Sequence, residues 1–357
     1  MKNLKNKTQK VSSYSYMLLT LILMTSLWSC SDADDCVYDT NINESCELQA
    51  ELNLSTGIDT NGNVITPTSG AVDPNWHVIN QPPLISCSEP VLASFNGDAY
   101  VMNYNNSGPD AWVNQTGSST IAPFDLGTSN NFYCNNPINS MGETIPYLFE
   151  RSFCVLQDTN VDFNFTFKGD DQITFELVKN NPLTVISTSS TFVWGSSPPG
   201  LGTWSATNLP LTSGSYSIRA KLVNTVLVTL GFSLLGNLVT TNGDASISDN
   251  SLGCCENNII SILNILDDNC NDTFDSGDLL GEDWTFNLKD SDNTIIRTSQ
   301  TDINGNIFFS GLPDGTYTIE IQNEIGFTQS LPNTTGSINI TVSNNDVQIL
   351  EFLNCPE

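Results

Sequence analysis

The sequence is poor in positive charge. Of its 357 residues only 11 are lysine or arginine, against 39 aspartate or glutamate. Four of those eleven (Lys2, Lys5, Lys7 and Lys10) stand in the first ten positions, which leaves seven against 39 beyond residue 29, a net of −32. Such a charge balance repels phosphate backbones and anionic lipid surfaces, and it excludes nucleic acid as a partner. Divalent cations are attracted instead. Histidine is nearly missing: His77 stands alone, and no CxxC pair has a matching pair, which speaks against zinc. A Ser-His-Asp site would have to use His77, in NWHVI, where no nucleophile elbow accompanies it. Nothing marks a pair of carboxylates for glycoside hydrolysis. The sequence does not read as that of an enzyme.

Long apolar runs are also missing. The one that exists, Tyr16–Trp28, has thirteen residues, too short for a membrane span of about 20 but suited to a signal peptide behind the basic MKNLKNKTQK. It ends in LWSC, which resembles a bacterial lipobox with Trp28 in place of the usual small residue. The resemblance implies cleavage before Cys30 and acylation of that cysteine, with a plain secretory signal as the alternative. The next residues, SDADD (31–35), look like the acidic tag that sends lipoproteins of Bacteroidota-type bacteria to the outer face of the outer membrane. The implied location is therefore a lipid-anchored one facing the cell exterior, or else secretion. Residues 1–29 read as a signal peptide and 30–47 as an acidic tether.

Helical periodicity is almost absent beyond the signal peptide. VDFNFTF (161–167), QITFELV (172–178) and SYSIRAKLV (215–223) alternate in the manner of half-buried strands. Asn61-Gly62, Asn96-Gly97 and Asn242-Gly243 are tight-turn signals between runs. The pattern predicts an all-β protein of two β sandwiches in tandem, over 48–254 and 255–357. Nine cysteines beyond Cys30 suit an exported, oxidising setting, and the odd number leaves at least one without a partner in the chain.

In the first domain, AVDPNWHVI, PDAWV, YLFERSFCV, FTFKGDDQITFELV and LTSGSYSIRAKLV follow in series. Their order resembles a β-sandwich module of bacterial surface proteins that binds carbohydrate or serves as a spacer. Trp76 and Trp112 read as core. Trp194 and Trp204 flank the Gly/Pro-rich GSSPPGLGT and are the candidates for stacking on sugar rings, with core filling as the alternative.

From Cys255 the strands and turns become denser, with 17 acidic residues against Lys289 and Arg297. LDDNCNDTFDSGD (266–278), GEDWTFNL (281–288), TDINGNIFFSGLPDGTYTIE (301–320), GFTQSLP (326–332) and EFLN (351–354) stand in order. Together they resemble the B-type repeats of serine–aspartate-repeat and collagen-binding adhesins. The resemblance implies a prealbumin-like (immunoglobulin-like) seven-stranded sandwich. Many relatives carry a lysine–asparagine isopeptide bond, but Asn264 holds the place of the lysine, so none is expected here, although Asn354 and Glu320 stand near the partner positions. Cys255 opens the first strand and Cys355 follows the last. If those strands are antiparallel neighbours, a disulfide between the two could clamp the fold. Cys270 has no assigned partner.

Calcium loops place oxygen ligands at positions 1, 3, 5, 7, 9 and 12. Counted from Asp267, these are Asp267, Asn269, Asn271, Thr273 through its carbonyl, Asp275 and Asp278. Asp272 stands at the sixth position, where glycine is usual, and the twelfth is Asp instead of Glu. The expectation is a structural calcium ion; the alternative is a cation-free polar turn. The features together point to a surface protein with an adhesion or spacer role, with an extracellular protein or polysaccharide as partner and the outer membrane reached through its anchor. The alternative is a carbohydrate-binding lipoprotein of a nutrient-uptake system.

Overall fold

The computed structural model describes residues 48–82, 97–102, 115–125, 138–193, 201–224, 230–249, 255, 258–275, 277–322, 326–332, 336–343 and 346–357. The signal peptide, Cys30, the tether, Trp112 and Trp194 lie outside the described residues. Among those described there is no helix, and the strands form two β sandwiches in tandem.

Fourteen strands from Glu51–Asn53 to Ile247–Asp249 are hydrogen-bonded into one sheet that encloses the first core. The alternation in the sequence sets its faces. Val161, Phe163, Phe165 and Phe167 turn inward from the strand Thr159–Asp170, and Ile173, Phe175 and Leu177 from Gln172–Asn180. Gly214–Val223 lies between Tyr147–Val155 and Gln172–Asn180, antiparallel to both. The rings meet edge to face: Phe232 packs 5.5 Å from Trp76, 4.9 Å from Phe149 and 5.6 Å from Phe175. Pairs of this kind add to what burial alone contributes.

Among the described residues the second sandwich has nine strands, where the resemblance implied seven. One sheet holds Asn258–Leu266, Val347–Pro356, Phe327–Leu331, Asn306–Leu312 and the two-residue Leu279–Leu280. This last pair seats the exit of the acidic loop beside the first strand and adds to the expected set. The other sheet runs Ile295–Gln300, Thr285–Lys289, Gly315–Ile321, Ser337–Val342. Between the two sheets lie Ile260, Ile262, Phe286, Leu288, Phe309, Ile319 and Phe352.

The first strand, Asn258–Leu266, and the last, Val347–Pro356, are neighbours but run parallel, from Ile259 beside Val347 to Leu266 beside Asn354. The antiparallel arrangement on which a Cys255–Cys355 bond depended is therefore overturned. At about 3.3 Å per residue, the start of one strand and the end of the other lie roughly 25–30 Å apart. Cys255 is instead bonded to Cys154 of the first sandwich, with Cα atoms 5.8 Å apart.

That bond is one of several contacts between the sandwiches. Ile79 and Leu148 pack with Ile259, Phe308 and Val347. The Arg219 guanidinium lies 5.1 Å from the centre of the Phe308 ring, and its Nε donates to Glu150 at 2.8 Å with both side chains buried. Ser310 Oγ donates to the Asn180 carbonyl at 3.1 Å, and Asn139 Nδ2 to Asn304 Oδ1 at 3.1 Å.

Candidate functional site

The acidic loop leaves the first strand of the second sandwich at Leu266 and returns through Leu279–Leu280, which pairs with Ile265 and Leu266. Its two ends are thus pinned within one sheet. Asp267 is fully buried at the entry, and its amide donates to the Asn354 carbonyl at 2.9 Å. One oxygen of its carboxylate accepts the Asn271 amide at 3.2 Å and the other accepts that of Asp272 at 2.8 Å. A buried carboxylate so placed organises the turn around itself.

Coiling continues through side chains that accept amides two residues ahead. Asn269 Oδ1 takes Asn271 N at 3.0 Å, and Asn271 Oδ1 takes Thr273 N at 2.9 Å. The Asn269 and Asn271 amide groups both donate to the Asp275 carboxylate, Asn271 at 2.6 Å. Asp278 closes the loop, accepting Asp268 N at 3.0 Å and Asp275 N at 2.7 Å. Asp272 adopts φ +60° at the sixth position, so it makes the left-handed turn usually given to glycine. Aspartate tolerates that region better than most residues.

Five of the six predicted positions (Asp267, Asn269, Asn271, Asp275 and Asp278) are linked in this network. For Thr273 the backbone amide and hydroxyl are engaged with Asn271, which leaves its carbonyl as the predicted donor. All the donors are hard oxygens, the chemistry that calcium takes. Each carboxylate retains lone pairs beyond the hydrogen bonds it accepts. Among the described residues no three His, Cys, Asp or Glu side chains converge as an ion-holding group on their own. The donor set fits calcium only with the two asparagines and the Thr273 carbonyl included, and the amide hydrogens of Asn269 and Asn271 offset the Asp275 charge here.

Two polar pairs tie strands of the second sandwich together. Asn264 and Asn354, both buried, join the first and last strands through Asn354 Nδ2 and Asn264 Oδ1 at 2.7 Å. They meet where the relatives place a covalent cross-link. Lys289 pairs with Glu320 at 2.8 Å on the other sheet. The resemblance placed Asn264 and Asn354 near each other, whereas no motif points to the Lys289–Glu320 pair, because it depends on which strands become neighbours.

The predicted sugar-stacking role of Trp204 is overturned. The ring is only 5% exposed and packs between Phe163, Phe165 and Phe175, with centroids 4.8, 5.6 and 6.3 Å away. Its Nε1 donates to Ser187 Oγ at 3.2 Å. An enclosed ring has no face to offer a sugar, and Trp204 fills the core instead. Its intended companion Trp194 lies outside the described residues. Trp76 is fully buried, as expected.

His77 is half-buried and its pKa is lowered, first by loss of solvent around the ring and then by the Arg151 charge. Burial pushes the Asp73 carboxyl up to about 6, even though it accepts the amides of Gly57, Asn75 and Trp76. Asp73 thereby organises the turn around residues 73–76.

Residues 264–350 match the SdrD B-like domain. The match covers the acidic loop and most of the second sandwich, and the resemblance to adhesin B-type repeats is borne out there. No curated protein matches the chain. Among solved structures, a minor pilin of Streptococcus agalactiae is 13% identical, covering 52% of this chain and 84% of its own, with a TM-score of 0.24. The major pilin BcpA of Bacillus cereus is 14% identical over 60% of this chain and 66% of that one, with a TM-score of 0.22. The shaft pilin SpaA of Lactobacillus rhamnosus GG is 12% identical over 56% and 88%, with a TM-score of 0.22.

Proposed function

We propose that this protein is a cell-surface structural or adhesion protein whose B-like domain bears tension between its ends. The observation that carries this reading is the parallel pairing of the first and last strands of that domain, eight register pairs from Ile259–Val347 to Leu266–Asn354. A pull through the start of one strand and the end of the other acts along the strands in opposite senses. The ladder is then sheared as a whole and not unzipped bond by bond. Each hydrogen bond contributes only about 0.5–1.5 kcal/mol net, so loading them together is what makes a short ladder strong. The match to the SdrD B-like domain supports a place at the cell surface. The anchor in this reading is acylated Cys30 in the outer membrane, and the partner an extracellular protein or polysaccharide.

The acidic loop, in the same reading, holds a structural calcium ion through Asp267, Asn269, Asn271, the Thr273 carbonyl, Asp275 and Asp278. The ion would offset two of the three carboxylate charges gathered within twelve residues and stiffen the loop between its two strands. An affinity of roughly 0.1–1 mM suffices outside cells.

Pulling the mature chain between its ends tests the mechanical part. The B-like domain is expected to give the highest-force rupture; rupture at the low force of peeled strands overturns the reading. Protease treatment of intact cells tests location, and complete protection of the chain rules out surface display. Calorimetric titration with calcium tests the loop, with neither heat nor a melting shift as the refuting outcome.

A further inference from the structure

Cys270 has no partner legible in the sequence, and the fold supplies one. The residue lies in the acidic loop at φ +54°. Its amide donates to the Asp267 carbonyl at 3.3 Å and its thiol to the same oxygen at 3.7 Å. Asp267 in turn donates its amide to the carbonyl of Asn354, the residue before Cys355, at 2.9 Å. This chain of contacts lays the loop on the C-terminal end of the last strand. Leu266 and Asn354 are register partners, so the Cys270 thiol, held at the Asp267 carbonyl, is brought to the end of the strand that carries Cys355. Cys270 is exposed, Cys355 is half-buried, and neither is in a disulfide. Cys255, the other candidate for Cys355, is held by Cys154.

We propose that Cys270 and Cys355 form a second disulfide, which clasps the acidic loop to the last strand of the B-like domain. The reaction is thiol–disulfide exchange with a disulfide oxidant. The deprotonated sulfur of one cysteine attacks the oxidant and releases its first thiol as a mixed disulfide forms. The sulfur of the other cysteine then attacks the protein side of that mixed disulfide and releases the second thiol. Two protein thiols are oxidised, one S–S bond forms, and the oxidant is reduced to two thiols that take up the two protons. The loop needs little movement because its entry is already bonded to the residue before Cys355. Both ends of the resulting tie are anchored, since Cys355 lies in a strand paired on both sides. The bond holds the loop closed without any cation, so it goes beyond the proposed function and does not depend on it.

The test uses the full mature chain, incubated with oxidised glutathione, treated with an alkylating agent and digested without reduction. A peptide that joins Cys270 to Cys355 is expected, together with several-fold slower proteolysis of the loop than in the reduced chain. Alkylation of both thiols while Cys154–Cys255 stays intact overturns the proposal. So does linkage of either thiol to any other cysteine. In Cys355→Ser, Cys270 is expected to be alkylated or to carry glutathione; a Cys270 linked in that variant to another cysteine of the chain has a different partner, and the proposal fails.

Discussion

The first sandwich is filled by interlocked aromatic rings, with Trp76, Phe149, Phe165, Phe167, Phe175, Trp204 and Phe232 in one cluster. The B-like domain is filled chiefly by isoleucine and leucine, with Phe286, Phe309 and Phe352 among them. It carries polar ties of its own: a coiled acidic loop, the Asn264–Asn354 pair and the Lys289–Glu320 bridge. Small domains bury a smaller share of their surface and lean more on such ties. The first sandwich should therefore respond most to loss of ring volume, and the second to loss of individual polar contacts.

Loss of the Cys154–Cys255 bond is expected to have the largest effect. The bond closes a loop with a sequence separation of 101, and on chain-entropy grounds such a closure contributes roughly 4–5 kcal/mol. In Cys154→Ala/Cys255→Ala, denaturant unfolding should show the first sandwich destabilised by about that amount. If both sandwiches lose stability in step, they unfold as one unit and the contrast between them breaks down.

Trp204→Ala comes next. Deleting a buried ring of this size costs about 3–5 kcal/mol, and the ring has three aromatic neighbours to leave unsupported. Near-UV circular dichroism and denaturant melts should place the loss in the first sandwich alone. A fully folded Trp204→Ala protein with unchanged stability would mean that the ring is not a core element.

The third prediction concerns pH. Asp73 has a carboxyl pushed from 3.8 to about 6 by burial. The raised value means that the folded state favours the protonated acid, so its contribution is fully present below about 4 and is lost as pH rises through about 6. A shift of that size corresponds to about 3 kcal/mol. His77 acts in the opposite sense, since a lowered histidine pKa disfavours the folded state as pH falls below 6.5. Measuring the first transition at several pH values in His77→Gln isolates Asp73. The expected result is a fall in stability between about pH 4 and 6; a flat profile refutes it.

The strands of both regions were legible because a two-residue alternation of Phe, Ile and Val with polar residues marks a half-buried strand wherever it occurs. VDFNFTF and QITFELV lie within strands, and Asn61-Gly62 makes its turn with Gly62 at φ +79°. Strand direction leaves no such trace. A two-residue period is the same read in either sense, so the parallel pairing of 258–266 with 347–356 could not be read, and the partner expected for Cys255 was wrong for that reason. Trp204 was misplaced by a strand boundary. The strand starts at Gly202, inside the Gly/Pro-rich stretch, and the Phe167 ring packs where a side chain at 202 would stand, 2.4 Å from the position of its Cβ. The loop ends earlier than composition suggests, and the tryptophan behind it faces the core. The coiling of the acidic loop was legible because the hydrogen bonds its carboxylate and amide side chains accept are local, each reaching at most ten residues along the chain.

The smallest effect expected tests the polar side of the contrast. Asn264 is fully buried, its Oδ1 accepts from Asn354, and its Nδ2 donates to the Gly281 carbonyl at 3.3 Å. Leucine has nearly the same branched shape, so Asn264→Leu removes these contacts without opening a cavity. The Asn354 amide keeps its bond to the Ile265 carbonyl at 3.2 Å, whereas the Gly281 carbonyl loses its side-chain donor. Leaving buried polar groups short of a partner costs about 1–3 kcal/mol, and one partner retained places the loss near the lower end. The fall should appear in the B-like domain only, and single-molecule pulling should show its rupture force reduced, because the lost contact bridges the two strands that shear. If Asn264→Leu instead matches or exceeds the native stability, the polar pair is not a stabilising tie. The B-like domain would then rest on its aliphatic core, as the first sandwich rests on its rings.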